Sequence, residues 1–167
     1  MKHLFYIVLL ISGFQTFSQE TLDVLLAKFN NESVPYISVE QLQTKMQSGS
    51  VILLDARENK EFAVSHIANA IWVGYENFSL EKTLQHLQDK NAEIVVYCSL
   101  GVRSEKIGEQ LQNAGFTNVQ NLFGGIFEWK NKGNPVYDSG GDETEKVHAY
   151  SKRWGVWLKN GEKVYKT

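Results

Sequence analysis

The chain has 167 residues, a formal net charge of −2 at pH 7 and 43% hydrophobic residues, which suits one globular domain with a buried core. The near-neutral charge gives no basic surface for nucleic acid, and the 12% aromatic content argues against disorder. The single cysteine excludes both an internal disulfide and a thiolate metal cage.

Residues 1–18 have the pattern of a signal peptide. A short basic start precedes an apolar run over residues 4–11, which is too short to span a bilayer. Thr16 and Ser18 would occupy the −3 and −1 positions of a cleavage site before Gln19. We therefore expect an exported protein, periplasmic or secreted, without a stable membrane anchor. The alternative is a buried N-terminal helix or an uncleaved anchor.

The chain after this segment alternates between helical and extended patterns. Residues 19–35 read as an N-terminal helical segment that ends at Pro35, and residues 36–137 form the main domain. In that domain, which starts at residues 36–37, the patterns predict strands at 51–55, 70–73, 94–98 and 119–122, and helices at 39–46, 58–64, 80–87, 103–113 and 125–131. Such alternation predicts an α/β fold with a mostly parallel sheet and helices on both faces.

Residues 138–167 read as a linker followed by a C-terminal β-hairpin. The linker covers the polar residues 138–147, and the hairpin covers Trp154 to Tyr165 around Asn160-Gly161. Asn-Gly is the strongest short hairpin signal, because both residues tolerate positive φ. A lone hairpin is marginal in water, so we expect this one to pack on the main domain or on the N-terminal helix.

The only cysteine, Cys98, ends the predicted central strand just before a helix. In such a turn the backbone N–H groups converge and the helix dipole adds positive potential. Both effects favour the nucleophilic thiolate, and Arg103 adds a fixed cation suited to an oxyanion. With Gly101 inside the turn, the pattern favours a reactive site. The alternative is a small apolar cysteine that closes a buried strand.

The sequence from Cys98 to Ser104 resembles the active-site loop of rhodanese-type sulfurtransferases, which often read Cys-x-x-Gly-x-Arg-Ser. Three further motifs resemble the same family, in its order, over residues 36–137. They are Val51–Glu58 with Asp55-x-Arg57-Glu58, Glu61–Ala70 with His66-Ile67, and Leu122–Trp129 with Gly124-Gly125. Ser65 and Ala68 depart from the glycine and proline that the family commonly has around this histidine.

The resemblance implies a rhodanese-like α/β fold, with a mostly parallel five-stranded sheet and helices on both faces. It also implies sulfur transfer through a persulfide on Cys98, with no metal and no organic cofactor. A small anionic donor such as thiosulfate would supply the sulfur, and a thiol or cyanide would accept it. Arg103 would hold the donor. The residues implied in binding are Ser99, Leu100, Gly101, Val102, Arg103 and Ser104.

Two other functions fit the same residues. A phosphatase of the related fold also uses a cysteine and an arginine before a helix, but its loop has five residues between them and this chain has four, Ser99 to Val102. A binding module would instead carry the Cys98 persulfide to a partner protein docked on the tail or on the N-terminal helix.

Several polar residues outside the loop could support the site. Asp55, Arg57 and Glu58 follow a predicted strand and are either catalytic or an ion-pair set that fixes the loop; we favour the structural role. His66 is either a general base or a histidine held by hydrogen bonds near the sheet edge, and again we favour structure. His148 would reach the site only if the tail folded over it.

Overall fold

The computed structural model of the protein describes residues 21–166, which form one sheet with helices on both sides and a small C-terminal extension. The strands are β1 Tyr36–Ile37, β2 Val51–Asp55, β3 Ile71–Trp72, β4 Glu93–Tyr97, β5 Val119–Leu122, β6 Val136–Tyr137, β7 Glu143–Thr144, β8 Lys146–His148 and β9 Glu162–Val164. The helices are α1 Leu22–Ala27, α2 Val39–Ser48, α3 Asn59–Val64, α4 Leu80–Leu84, α5 Val102–Asn113, α6 Gly125–Asn131 and α7 Lys152–Gly155.

The main sheet has five parallel strands in the order β1-β5-β4-β2-β3, which puts β4 at its centre. Alternate side chains of a strand face opposite sides. Val95 and Tyr97 accordingly join one buried cluster, and Ile94 and Val96 join another. The predicted parallel sheet with helices on both faces is therefore confirmed.

The elements predicted for the main domain occur with the predicted type and order, and their ends differ by a few residues. The N-terminal helix is shorter than predicted, because α1 ends at Ala27 and the chain continues irregularly to Pro35. Here Asn30 donates to the Gly101 carbonyl at 2.9 Å, and the Asn31 N–H donates to Glu105 Oε1 at 2.7 Å. These tertiary hydrogen bonds replace the helical ones.

The predicted hairpin over Trp154–Tyr165 is wrong in its placement. Ser151 caps the short helix α7 by accepting from the Trp154 N–H, and β9 pairs in parallel with β8. The residues expected to form a linker contain β7 and the start of β8. The C-terminal extension does add β structure, as two small two-stranded sheets, of which β6–β7 is antiparallel.

Burial explains why the tail departs from its local turn signal. Val147 and Leu158 are fully buried in the larger core cluster, and the Trp154 ring meets the Phe29 ring edge-on at 5.3 Å. The tail therefore packs on both the main domain and the N-terminal segment, as expected. The predicted signal peptide lies outside the described residues. Over residues 21–166, no helix has the length and apolar character needed to cross a bilayer.

Candidate active site

The Cys98 thiol lies where β4 ends and the chain turns into α5. Its side chain is buried, and the Gly101 N–H donates to Sγ at 3.1 Å. The Ser104 hydroxyl lies 3.5 Å from Sγ and 2.7 Å from Asn121 Oδ1, and it can donate to either. The loop Cys98–Ser104 thus surrounds the sulfur with hydrogen-bond donors, as predicted from the strand-to-helix turn.

The turn depends on the glycine at its centre. Gly101 has φ +119°, a conformation that side chains disfavour. Its carbonyl accepts from both Asn30 and Asn121, at 2.9 and 2.7 Å. These two hydrogen bonds, one from the N-terminal segment and one from β5, hold Gly101 in place. The N–H of the same residue therefore stays directed at Sγ.

The Gly124-Gly125 pair supports the loop from the other side. At the start of α6, the N–H of Ile126 donates to the Cys98 carbonyl at 2.9 Å and the N–H of Phe127 donates to the Ser99 carbonyl at 3.2 Å. A Cβ on Gly125 would lie 2.3 Å from the Cys98 carbonyl oxygen. Glycine here therefore permits the close approach of α6 to the loop.

The surroundings of Cys98 favour its thiolate. Burial raises the pKa of the thiol, but the Arg103 charge and hydrogen bonds from Ser104 and from the Gly101 N–H outweigh burial, so the pKa lies below its ordinary value. A lowered pKa increases the fraction of nucleophile at neutral pH.

Arg103 is held by Glu61, a contact that the sequence did not predict. Its Nη1 and Nη2 donate to the two carboxylate oxygens of Glu61 at 2.6 and 2.8 Å, and Nη2 also donates to Ser99 Oγ at 3.0 Å. The Glu61 side chain is fully buried, and that of Arg103 is 14% exposed. The bidentate pair fixes the guanidinium beside the loop, where its charge acts on Cys98.

The proposed supporting residues lie in two separate arrangements. Arg57 Nη2 donates to Asp55 Oδ2 and to the Ser65 carbonyl, both at 2.6 Å, in a fully buried pair that joins β2 to the end of α3. The His66 ring stacks on Phe62 at 4.0 Å, and its Nδ1 lies 3.2 Å from the Phe62 carbonyl. Neither arrangement lines the pocket at Cys98, which accords with the structural roles we favour.

A pocket of about 130 Å³ opens onto the thiol. Its walls are Cys98, Ser99, Leu100, Val102, Arg103, Tyr150 and Trp154. The last two come from the C-terminal tail, and sequence reasoning missed them because their positions depend on how the tail folds back. Tyr150 lies over the Arg103 guanidinium, 4.9 Å from ring centre to Cζ. His148, two residues before Tyr150, lines a different pocket with Glu58, Lys60 and Glu61.

Within residues 21–166, no group of three or more histidine, cysteine, aspartate or glutamate side chains is arranged to hold a metal ion. The groups around Cys98 instead supply N–H donors, one hydroxyl and one paired cation. This chemistry suits a nucleophile that forms a covalent intermediate.

Replacing Arg103 by alanine is expected to raise the pKa of Cys98, because its charge is the largest influence that lowers this pKa. The midpoint of Cys98 alkylation rate against pH should then move to higher pH. Use of thiosulfate should also fall, since a charge-assisted hydrogen bond typically contributes about 1.5–3 kcal/mol. Lys106→Ala, on the same helix but paired with Glu109, is the matched control. Identical pH profiles for wild type and Arg103→Ala would contradict the electrostatic role.

Fold and site together define a class: an α/β protein with a nucleophilic cysteine beyond the carboxyl end of its central parallel strand, cradled by the loop that opens the next helix. The sequence model of the family described as Rhodanese-like domain matches residues 38–132. The chain belongs to the rhodanese-like domain family.

Known proteins resemble this chain over the same domain. The tRNA uridine(34) hydroxylases of Photorhabdus laumondii and Yersinia pestis are 35% and 34% identical to it over 100 residues. The alignments cover 58% of this chain and 28% of each relative, so the chain spans less than a third of their length.

Solved structures give the same fold. A rhodanese-related protein from Thermoplasma volcanium has a TM-score of 0.53 and 28% identity, covering 61% of this chain and 96% of that one. The thiosulfate sulfurtransferase from Pseudomonas aeruginosa has a TM-score of 0.60 over 72% of this chain and 22% of its own, and at 22% identity it supports the fold alone.

Proposed function

We propose that the protein transfers sulfane sulfur from a donor such as thiosulfate to a thiophilic acceptor, through a persulfide on Cys98. One observation carries this proposal: a thiol of lowered pKa receives a backbone N–H at 3.1 Å in a loop that opens a helix. Persulfide chemistry needs such a thiolate, and N–H donors that stabilise a terminal sulfur.

The reaction proceeds in two displacements. The Cys98 thiolate attacks the outer sulfur of thiosulfate, the S–S bond of the donor breaks, and sulfite leaves with the bonding electron pair. The acceptor then attacks the outer sulfur of the persulfide, and Cys98 leaves again as a thiolate. Cyanide gives thiocyanate, and a thiol gives a new persulfide. The net exchange needs no external oxidant or reductant.

The direct test is the intact mass of the purified protein, before and after thiosulfate and then after cyanide. We expect a gain of one sulfur atom with thiosulfate and its loss, with thiocyanate release, on adding cyanide. A protein that gains no sulfur from thiosulfate and from an organic persulfide would overturn the proposal. A persulfide that passes only to a partner protein, and never to cyanide or a small thiol, would favour the carrier role.

The length of the loop predicts the choice between sulfur and phosphate. Four residues separate Cys98 from Arg103, and the Gly101 N–H already faces Sγ, so the cradle suits one sulfur atom better than the three oxygens of a phosphoryl group. The protein should therefore fail to hydrolyse aryl phosphates. One glycine inserted after Gly101 should reduce sulfur transfer by widening the cradle. Efficient Cys98-dependent hydrolysis of an aryl phosphate by the unmodified protein would reverse this assignment.

We further propose that the protein is exported and cleaved before Gln19. The basic start, the apolar run and the residues Thr16 and Ser18 support this. N-terminal sequencing of protein isolated from its own cells should begin at Gln19. A start at Met1 in a soluble cytoplasmic fraction would contradict it.

A further inference from the structure

We infer that the C-terminal tail makes the Cys98 pocket selective for an organic thiol with a compact apolar body, which accepts the persulfide sulfur between Tyr150 and Trp154. The inference rests on the proposed function and names the acceptor class for that site. The tail lies outside residues 38–132, which the family model matches. The pocket wall that Tyr150 and Trp154 form is therefore not part of the matched domain.

The pocket walls are mainly apolar and aromatic. Leu100, Val102 and Trp154 face the space next to Cys98, and Tyr150 closes it on the Arg103 side. Trp154 is held in turn by its edge-on contact with Phe29 at 5.3 Å. Aromatic rings bind apolar and aromatic groups through offset or edge contacts, so these walls favour an apolar body over a solvated one.

The charge at the pocket is already balanced. Arg103 is the cation among the described residues that line it, and its Nη1 and Nη2 both donate to the Glu61 carboxylate. Tyr150 covers the guanidinium further. The charged groups of this wall are therefore paired with one another, and the body of an acceptor meets the aliphatic and aromatic side chains instead.

The size of the pocket sets the size of the group. An engineered cavity of about 150 Å³ holds benzene, and the pocket at Cys98 has about 130 Å³ with an opening to solvent. A group near the size of one ring therefore fits, with its sulfur directed at Cys98 and any longer substituent leaving through the opening.

The backbone conformation at Tyr150 indicates that the fold holds this residue in a defined position. Tyr150 has φ +61°, a left-handed conformation that is rare for an aromatic residue. Hydrogen bonds on both sides maintain it: its N–H donates to His148 Nδ1 at 3.2 Å, and the Ser151 N–H donates to the Ala149 carbonyl at 2.7 Å. Strained residues that persist in this way cluster at functional sites.

In the transfer step the acceptor thiolate attacks the outer sulfur of the protonated Cys98 persulfide. The bond between the two persulfide sulfurs breaks, Cys98 leaves as a thiolate, and the product is the organic persulfide. The proton stays on the transferred sulfur, so atoms and charge balance without another reactant.

The test compares two uncharged thiols, the apolar phenylmethanethiol and the polar 1-thioglycerol, as acceptors from the persulfide form of the full chain. We expect the wild type to prefer phenylmethanethiol beyond the ratio that the same thiols show with a small-molecule persulfide. Tyr150→Asn keeps a residue that tolerates positive φ but removes the ring. It should lower the preference by about twofold to tenfold, the range of one aromatic contact. Tyr150→Phe should retain it.

Two controls separate selectivity from general damage. For each variant, the rate with each thiol is divided by the rate with cyanide, so that a general loss of sulfur transfer cancels. Tyr165→Asn removes an exposed tyrosine of the same tail that does not line the pocket, and it should keep the wild-type preference. Trp154→Leu, which removes the other aromatic side chain that lines the pocket, should repeat the effect of Tyr150→Asn.

A second measurement does not depend on sulfur transfer. Because Cys98 is the only cysteine, mass spectrometry can follow its alkylation by N-benzyliodoacetamide and by iodoacetamide. We expect the benzyl reagent to be preferred beyond its ratio with free cysteine, and the preference to fall in Tyr150→Asn. A wild-type ratio equal to that of free cysteine, or a preference unchanged in both Tyr150→Asn and Trp154→Leu, would overturn the inference. Failure to form a persulfide at all would instead overturn the proposed function.

Discussion

Cys98→Ser is expected to abolish both the gain of one sulfur atom from thiosulfate and the release of thiocyanate. Cys98 is the only cysteine of the chain, so no second thiol can accept the sulfur, and a serine hydroxyl is not ionised near neutral pH. Intact mass spectrometry and a thiocyanate assay on the purified variant measure the two losses directly.

The Cys98→Ser variant should still fold, so the loss of sulfur transfer can be assigned to the missing thiol. A serine hydroxyl can accept the hydrogen bond that the Gly101 N–H now donates to Sγ, and the site has no disulfide to lose. Thermal unfolding should therefore remain cooperative. Thiocyanate production retained by a well-folded Cys98→Ser protein would rule out a persulfide on this residue.

Local sequence signals were sufficient for the main sheet and for the reactive loop. The apolar runs that became β2 and β4 lie next to each other in parallel, with Asp55 opposite Tyr97. Gly101 takes the positive φ that its place in the turn requires. These features depend on a few neighbouring residues, and a sequence displays them directly.

The contacts that complete the site come from residues far apart in the chain. Asn30 reaches the Gly101 carbonyl across 71 positions, and Glu61 reaches Arg103 across 42. Glu61 lies in the first turn of α3 and caps it by accepting from the Glu58 N–H at 3.0 Å. Its pairing with Arg103 forms only when the fold brings the first turns of α3 and α5 together, so no local pattern could have shown it.

In the tail, a strong local turn signal led to a wrong prediction, because burial of apolar side chains decided how the tail folds. Asn160-Gly161 does form a turn, with Gly161 at φ +98°. The preceding segment, however, buries Leu158 in the core and follows α7, so it does not pair with β9. The fold that the tail adopts also brings Tyr150 and Trp154 to the thiol. Tertiary packing thus placed part of the candidate pocket where propensity predicted a separate hairpin.

Gly125→Ala is expected to destabilise the fold by about 3 kcal/mol or more and to remove most sulfur transfer. The added Cβ would lie 2.3 Å from the Cys98 carbonyl oxygen and 2.7 Å from the Ser99 carbonyl carbon, both backbone atoms that cannot rotate away. Overpacking costs about 1–3 kcal/mol, and a strained positive φ, here +54°, costs about as much again. Urea unfolding measures the stability, and the thiocyanate assay measures the activity.

Gly49→Ala separates the two contributions to that loss. Gly49 ends α2 at φ +71°, and a Cβ there would meet no atom within 4 Å. This variant should lose only the conformational part, about 1–2 kcal/mol, and keep its sulfur transfer. The excess loss in Gly125→Ala then measures the approach of α6 to the Cys98 loop, which positions the N–H groups of Ile126 and Phe127 on its carbonyls. Equal losses of stability and activity in the two variants would show that this contact does not hold the site.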